Sequence, residues 1–171
     1  YQWKRAGVDI AGATGNTYTL VQDDVGKEIT VTVTYNDNYS GASVHTTTRF
    51  IAPITQANIH TEVVLWVSDN ASALATYGNI SGWDTSAVTD MSSLFSGKTA
   101  FNDDISGWDV SNVTTMKWMF DGASAFNKPI GDWNTIKVIH MTYMFRDCGD
   151  FIQDISGWNV SSVISMGRMF V

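Results

Sequence analysis

From residue 80 onward the apolar positions return every 25 residues. FNDDISGWDVSNVTTMKWMF (101–120) comes back as FNKPIGDWNTIKVIHMTYMF (126–145) and again as FIQDISGWNVSSVISMGRMF (151–170). Ile80, Ile105, Ile130 and Ile155 form one column, and Trp83, Trp108, Trp133 and Trp158 the next. Val88, Val113, Val138 and Val163 follow, then Met91, Met116, Met141 and Met166. Leu94, Met119, Met144 and Met169 stand beside Phe95, Phe120, Phe145 and Phe170, and Phe101, Phe126 and Phe151 close the set. A period between about 20 and 50 residues marks stacked repeats, in which each unit buries its apolar face only against its neighbours. Within a unit, Val113, Met116 and Phe120 fall at i, i+3 and i+7, which predicts one face of a short helix. Ser86, Ser111 and Ser161 are placed to cap it and Gly97 and Gly122 to end it. DISGWDV (104–110) reads as a short extended run with Trp108 and Val110 on one side. The expected unit is a short strand plus a short helix, with strands stacking into a parallel ladder.

Residues 1–50 follow a different period. Ile29, Val31, Val33 and Tyr35 alternate with Glu28, Thr30, Thr32 and Thr34, the period of two expected of a strand with one buried face. Strands are expected near 1–5, 17–21, 28–35 and 42–49, with Gly12, Gly26 and NDNYSG (36–41) at turns. Residues 51–57, IAPITQA, read as a linker. Residues 58–79 read as a helical N-terminal cap: Ile59, Val63 and Trp66 lie at helical spacing, Asn58 stands at the N-cap, and a second short helix runs over about 70–77 up to Gly78. Such a segment covers the open core of the first repeat. Residues 80–171 then hold about four repeats. The third copy departs from the pattern at Pro129, Asp132 and Ile136.

Composition narrows the function classes. The 171 residues carry a net charge of −7, which argues against nucleic acid and against an anionic membrane surface. No run reaches the roughly 18 apolar residues of a membrane span, so insertion by this segment is not expected. One cysteine, Cys148, excludes an internal disulfide and a multi-thiolate metal site. The chain opens on YQWKRAG without a Met and its last copy stops at MFV, so a processed or excised piece of a longer repeat array is expected.

The candidate chemistry is sparse. The Trp column could stack sugars or form a buried ladder; its phase, shared with every other core column, favours the ladder. The Met columns offer soft-metal ligands, but their phase marks them as core filler. Asp84, Asp109, Asn134 and Asn159 stand just after the Trp column and suit turn closure better than a calcium site, which needs six to eight converging oxygens. His45, His60 and His140 are scattered and no nucleophile–base spacing is found. The expectation is a protein that is not an enzyme and has no cofactor. Trp118, Tyr143 and Arg168 share a column with Ser93 outside the core phase, and are the candidates for partner contact.

Two stretches resemble known families. YQWKRAGVDIAGATGNTYTLVQDDVGKEITVTVTY resembles the later strands of the immunoglobulin-like repeats of large bacterial surface proteins, with Trp3 as core tryptophan and DDVG as a corner. FNxxIxxWxxxxVxxMxxMF resembles the repeat of BspA-like leucine-rich-repeat surface proteins, abundant also in mycoplasma lipoproteins, over residues 56–171. Together these imply an α+β chain: a partial immunoglobulin-like β-sandwich followed by a leucine-rich-repeat-like solenoid on an extracellular or cell-surface protein. The expected role is structural or adhesive, presenting the repeat surface to a protein or glycan, with self-association possible in principle. Two alternatives stay open: a fibre subunit assembled by strand addition between chains, and a glycan-binding module of a larger enzyme.

Overall fold

The computed structural model describes residues 1–24, 26–37, 41–50 and 52–171. The turn expected across 36–41 and the DDVG corner lie partly outside the described residues. Four strands come first, β1 (Gln2–Arg5), β2 (Val8–Asp9), β3 (Glu28–Asp37) and β4 (Gly41–Phe50). They form one antiparallel sheet in the order β2-β1-β3-β4, with Trp3 opposite Val31 and Ile29 opposite Arg49. Ile29 and Val31 are buried. A second sheet, which a sandwich needs, is absent among the described residues. The segment 17–21, expected as a strand, joins no ladder. Tyr18 instead packs its ring 5.6 Å from that of Trp3 and donates to Asp24 at 3.0 Å. Asp24 is fully buried, and its carboxylate also accepts from the Val21 N–H and from Arg5 Nε, each at 2.7 Å. A buried carboxylate left without such donors would be costly.

Helices α1 (Ile59–Ser68) and α2 (Asn70–Tyr77) follow. Asn58 does not cap α1 with its side chain; its Oδ1 accepts from the Thr55 N–H at 2.7 Å and closes the preceding turn. Asp69 caps α2 by accepting from the Ser72 N–H, and Gly78, at φ 74°, ends it. The residues expected as linker take part in packing: Ile54 belongs to the buried core.

Each later 25-residue unit is one coil of chain laid on the next. The N–H groups of Met91, Ser93, Phe95 and Gly97 donate to the carbonyls of Thr115, Lys117, Met119 and Asp121 at 2.7–3.1 Å. Met116, Trp118, Phe120 and Gly122 repeat this onto His140, Thr142, Met144 and Arg146, and Met141, Tyr143, Phe145 and Asp147 onto Ser165, Gly167, Met169 and Val171. The short helix expected at this place is not formed. The intervening N–H groups of Leu94, Ser96 and Lys98 close β-turns on Met91, Ser93 and Phe95. A helix needs each N–H for the carbonyl four residues back, and here alternate N–H groups are committed to the neighbouring coil. The serines expected as helix caps do other work: the N–H groups of Ser86, Ser111 and Ser161 donate to the side chains of Asp84, Asp109 and Asn159 at 2.9–3.0 Å. DISGWDV is a turn as well, closed by Trp108 N–H on Ile105 at 3.1 Å. The expected parallel ladder contracts to single parallel bridges, Asp90 to Thr115, Thr115 to His140 and His140 to Ser165.

The columns meet inside the stack. Phe95, Phe120, Phe145 and Phe170 lie 5.3–5.4 Å apart with rings within 6° of parallel. Phe101, Phe126 and Phe151 form a second pile at 5.8 and 6.0 Å. Met91, Met116 and Met141 have no exposed surface, whereas Met166, expected in the same core column, is 43% exposed. It lies on the final coil, and no coil follows in this sequence to lie against it.

The start of the stack is closed by side chains that imitate a coil's backbone. Gln56 Oε1 accepts from the N–H groups of Thr89 and Asp90, both at 2.8 Å, and Gln56 Nε2 donates to the Asp90 carbonyl. His60 Nε2 lies 2.9 Å from the Ser92 carbonyl. In the next coil the equivalent Thr114 N–H and the Thr115 and Lys117 carbonyls are bonded to the backbone of the coil before.

Candidate functional site

The exposed turn of each coil sets one side chain outward in an unusual backbone conformation. Met119 N–H closes on Met116 carbonyl at 3.2 Å, and the third residue of that turn, Trp118, has φ 54°. The same position is Ser93 at 59°, Tyr143 at 58° and Arg168 at 53°. L-residues reach this left-handed region at a cost of roughly 1–2 kcal/mol, which glycine avoids. Four residues on, an equivalent turn uses Gly97 and Gly122, at φ 71° and 69°. One column of left-handed positions is therefore mostly glycine, and the other carries none and holds two aromatic side chains and an arginine.

Those side chains touch one another. The Trp118 and Tyr143 rings lie 6.2 Å apart and 10° from parallel. Arg168 Nη1 donates to the Tyr143 hydroxyl at 3.2 Å, with its guanidinium 6.0 Å from the ring centre. Trp118 is 38% exposed, so the stacking does not bury it. The structure thus brings together all three residues proposed from sequence as partner contacts.

Arg146 belongs to the same strip and was not among them. Its guanidinium lies 5.1 Å from the Tyr143 ring centre and grips Asp121 with Nε and Nη2 at 2.6 and 2.7 Å. That hydrogen-bonded carboxylate raises the Arg146 pKa above its ordinary value. The sequence signal was available: Asp121 and Arg146 are opposite charges one period apart. Arg168, by contrast, has no carboxylate within ion-pair distance among the described residues.

The Trp column lies on the inside. Trp83, Trp108 and Trp133 are 2–3% exposed and Trp158 8%. Trp83 stacks on Trp108 at 6.2 Å and Trp133 on Trp158 at 6.3 Å. Their faces are not available to a sugar. One side-chain oxygen of each residue in the Asp/Asn column accepts a turn N–H, and among the described residues no group of three or more His, Cys, Asp or Glu side chains is placed to hold a metal. Cys148 is buried with its Sγ 3.1 Å from the Ala123 carbonyl, and burial pushes its thiol pKa up to about 11. Such a thiol is a poor nucleophile. Among the described residues no helix is long and apolar enough to cross a membrane.

The fold is one of stacked 25-residue coils, with Trp118, Tyr143 and Arg168 in one outward column. Residues 65–171 match the family described as Mycoplasma protein of unknown function, DUF285, and the chain belongs to that family. Membership is compatible with a non-catalytic surface protein. No curated protein and no solved structure matches the chain.

Proposed function

We propose that this chain is a non-catalytic cell-surface protein, structural or adhesive, that presents the Trp118–Tyr143–Arg168 column to a partner outside the cell. The 25-residue coils are read as a leucine-rich-repeat-like solenoid acting as a rigid support, and the N-terminal sheet as part of an immunoglobulin-like domain. The observation that carries the reading is the use of Ser93, Trp118, Tyr143 and Arg168 at left-handed φ where the neighbouring column uses Gly97 and Gly122 before Asp147. Backbone strain kept at exposed Trp118 and half-buried Tyr143 points to a role for the side chains, and Trp, Tyr and Arg are the side chains that dominate binding hot spots. The test is binding of the labelled chain to eukaryotic cells, compared with a W118S/Y143S variant. Serine is chosen because Ser93 already occupies the equivalent position. Binding lost in the variant supports the reading; equal binding by both proteins, or none by either, removes it.

A fibre subunit remains the second reading, because β4 is the outermost strand of the sheet and pairs on one side only among the described residues. An open edge invites strand addition. Light scattering that finds a monomer at high concentration sinks this alternative.

A further inference from the structure

We propose that the strip is a binding site for an acidic polysaccharide, one whose sugar rings carry carboxylates. The inference rests on the reading above and names its ligand class.

Three observations select that chemistry. The first is the order of the column, Ser93, Trp118, Tyr143, Arg168. Tyr143 stacks on one face of Trp118, and the preceding position holds only serine, so the far indole face has no aromatic neighbour in the column. An open indole face takes the C–H face of a pyranose ring. The second is charge. On a chain of net −7, the guanidinium groups of both Arg146 and Arg168 lie by the Tyr143 ring, against Asp121 and Asp147. Arg146 is occupied by Asp121, while Arg168 holds only the neutral Tyr143 hydroxyl and keeps donors for an incoming carboxylate. The third is spacing. The groups recur once per coil, 6.2 Å from Trp118 to Tyr143 and 6.0 Å from the Tyr143 ring to the Arg168 guanidinium. A ligand with one ring after another along its length meets one group per coil. Trp118 supplies a stacking face, Tyr143 an edge and hydroxyl, and Arg168 the charge.

The experiment uses the chain itself and three probes: a uronate-containing hexasaccharide, the same hexasaccharide with its carboxyls reduced to alcohols, and a hexaglutamate peptide. Titration calorimetry is expected to show binding of the first, weakened about tenfold by W118S and again by R168Q. R168Q is expected to leave the weaker binding of the reduced sugar unchanged. S93W, which sets an aromatic side chain at the position facing the far indole face of Trp118, is expected to weaken uronate binding while the circular dichroism spectrum stays that of the unaltered chain. Equal affinity for the reduced sugar, or W118S binding as well as the unaltered chain, overturns the proposal. Hexaglutamate binding through the same residues without sugar binding also overturns it, and points to an acidic peptide. The cell-binding comparison separates the two levels. If W118S/Y143S abolishes cell binding while none of the sugars binds, the ligand class is wrong and the presenting surface stands. If cell binding is unaffected as well, both fall.

Discussion

Trp108 Nε1 donates to the carbonyl of Ile80, 28 residues earlier, at 2.8 Å. Trp133 repeats the bond onto Ile105 at 3.3 Å and Trp158 onto Ile130 at 2.8 Å. Each of these carbonyls also accepts the N–H of the tryptophan in its own coil. The Ile carbonyl is thus a joint between coils, and it explains why the column is tryptophan and not merely aromatic. Replacing Trp108 with Phe is expected to cost about 2 kcal/mol, one hydrogen bond plus lost packing. Urea denaturation followed by circular dichroism measures it, and an unchanged midpoint would show that the indole N–H does not join the coils.

The left-handed column separates function from stability. Ser93 has φ 59° and its side chain is exposed. Ser93→Gly is expected to stabilise by about 0.5–1 kcal/mol, the relief of left-handed strain less the chain entropy of glycine. A rise in melting temperature checks this; a fall would mean that the position is not strained.

Two glycines of the stack differ in the space around them. A Cβ on Gly131 would collide with the carbonyl oxygen of Asp154, whereas one on Gly107 would meet Ser81 O at an ordinary 3.6 Å. Gly131→Ala is expected to destabilise by about 1–3 kcal/mol, because the obstacle is backbone and cannot swing aside. Gly107→Ala is expected to stay near neutral in the same assay. Equal effects would contradict the close approach of the third and fourth coils.

Cys148 is expected to resist alkylation. Burial, with a smaller contribution from Asp150, pushes its pKa to about 11, so the thiol stays protonated at neutral pH. Reaction with iodoacetamide should be far slower than for a free thiol and should recover in denaturing urea. Fast labelling of the folded chain would place the sulfur at the surface.

The turns closed by aspartate side chains respond to acid. Asp104 sits below the ordinary carboxylate value of 3.8 because it accepts from the backbone and hydroxyl of Ser106. Asp109 does so through the hydroxyl and backbone of Ser111. The fold favours the charged form of both. Their stabilisation is therefore complete above 3.8 and is lost as pH falls through the lower folded values. Melting temperature should decline below about pH 4, and less steeply in D104N/D109N.

The period and the core columns were legible in the sequence, because every coil meets the same neighbour in the same way. A residue such as Met116 or Phe120 has one environment repeated, and the chain writes it again each time. The outward column was legible for the complementary reason: Ser93, Trp118, Tyr143 and Arg168 differ in size and polarity, which no shared core position allows. What these residues form together was not legible. Val113, Met116 and Phe120 have the spacing of a helix, and two consecutive turns produce the same spacing. The choice lies in where the N–H groups of Met116, Trp118 and Phe120 go, and their acceptors are carbonyls of the next coil, 24 residues ahead. No local pattern records that acceptor. The same holds for Gln56, read as linker, and His60, read as a scattered histidine, which become the closing cap only once the first coil offers its open backbone to them. The sequence by itself determined how often the pattern returns and which columns turn inward, though not that Met166 and Phe170 of those columns are exposed. The tertiary structure decided the backbone conformation between them, because those hydrogen bonds exist only after the coils have stacked.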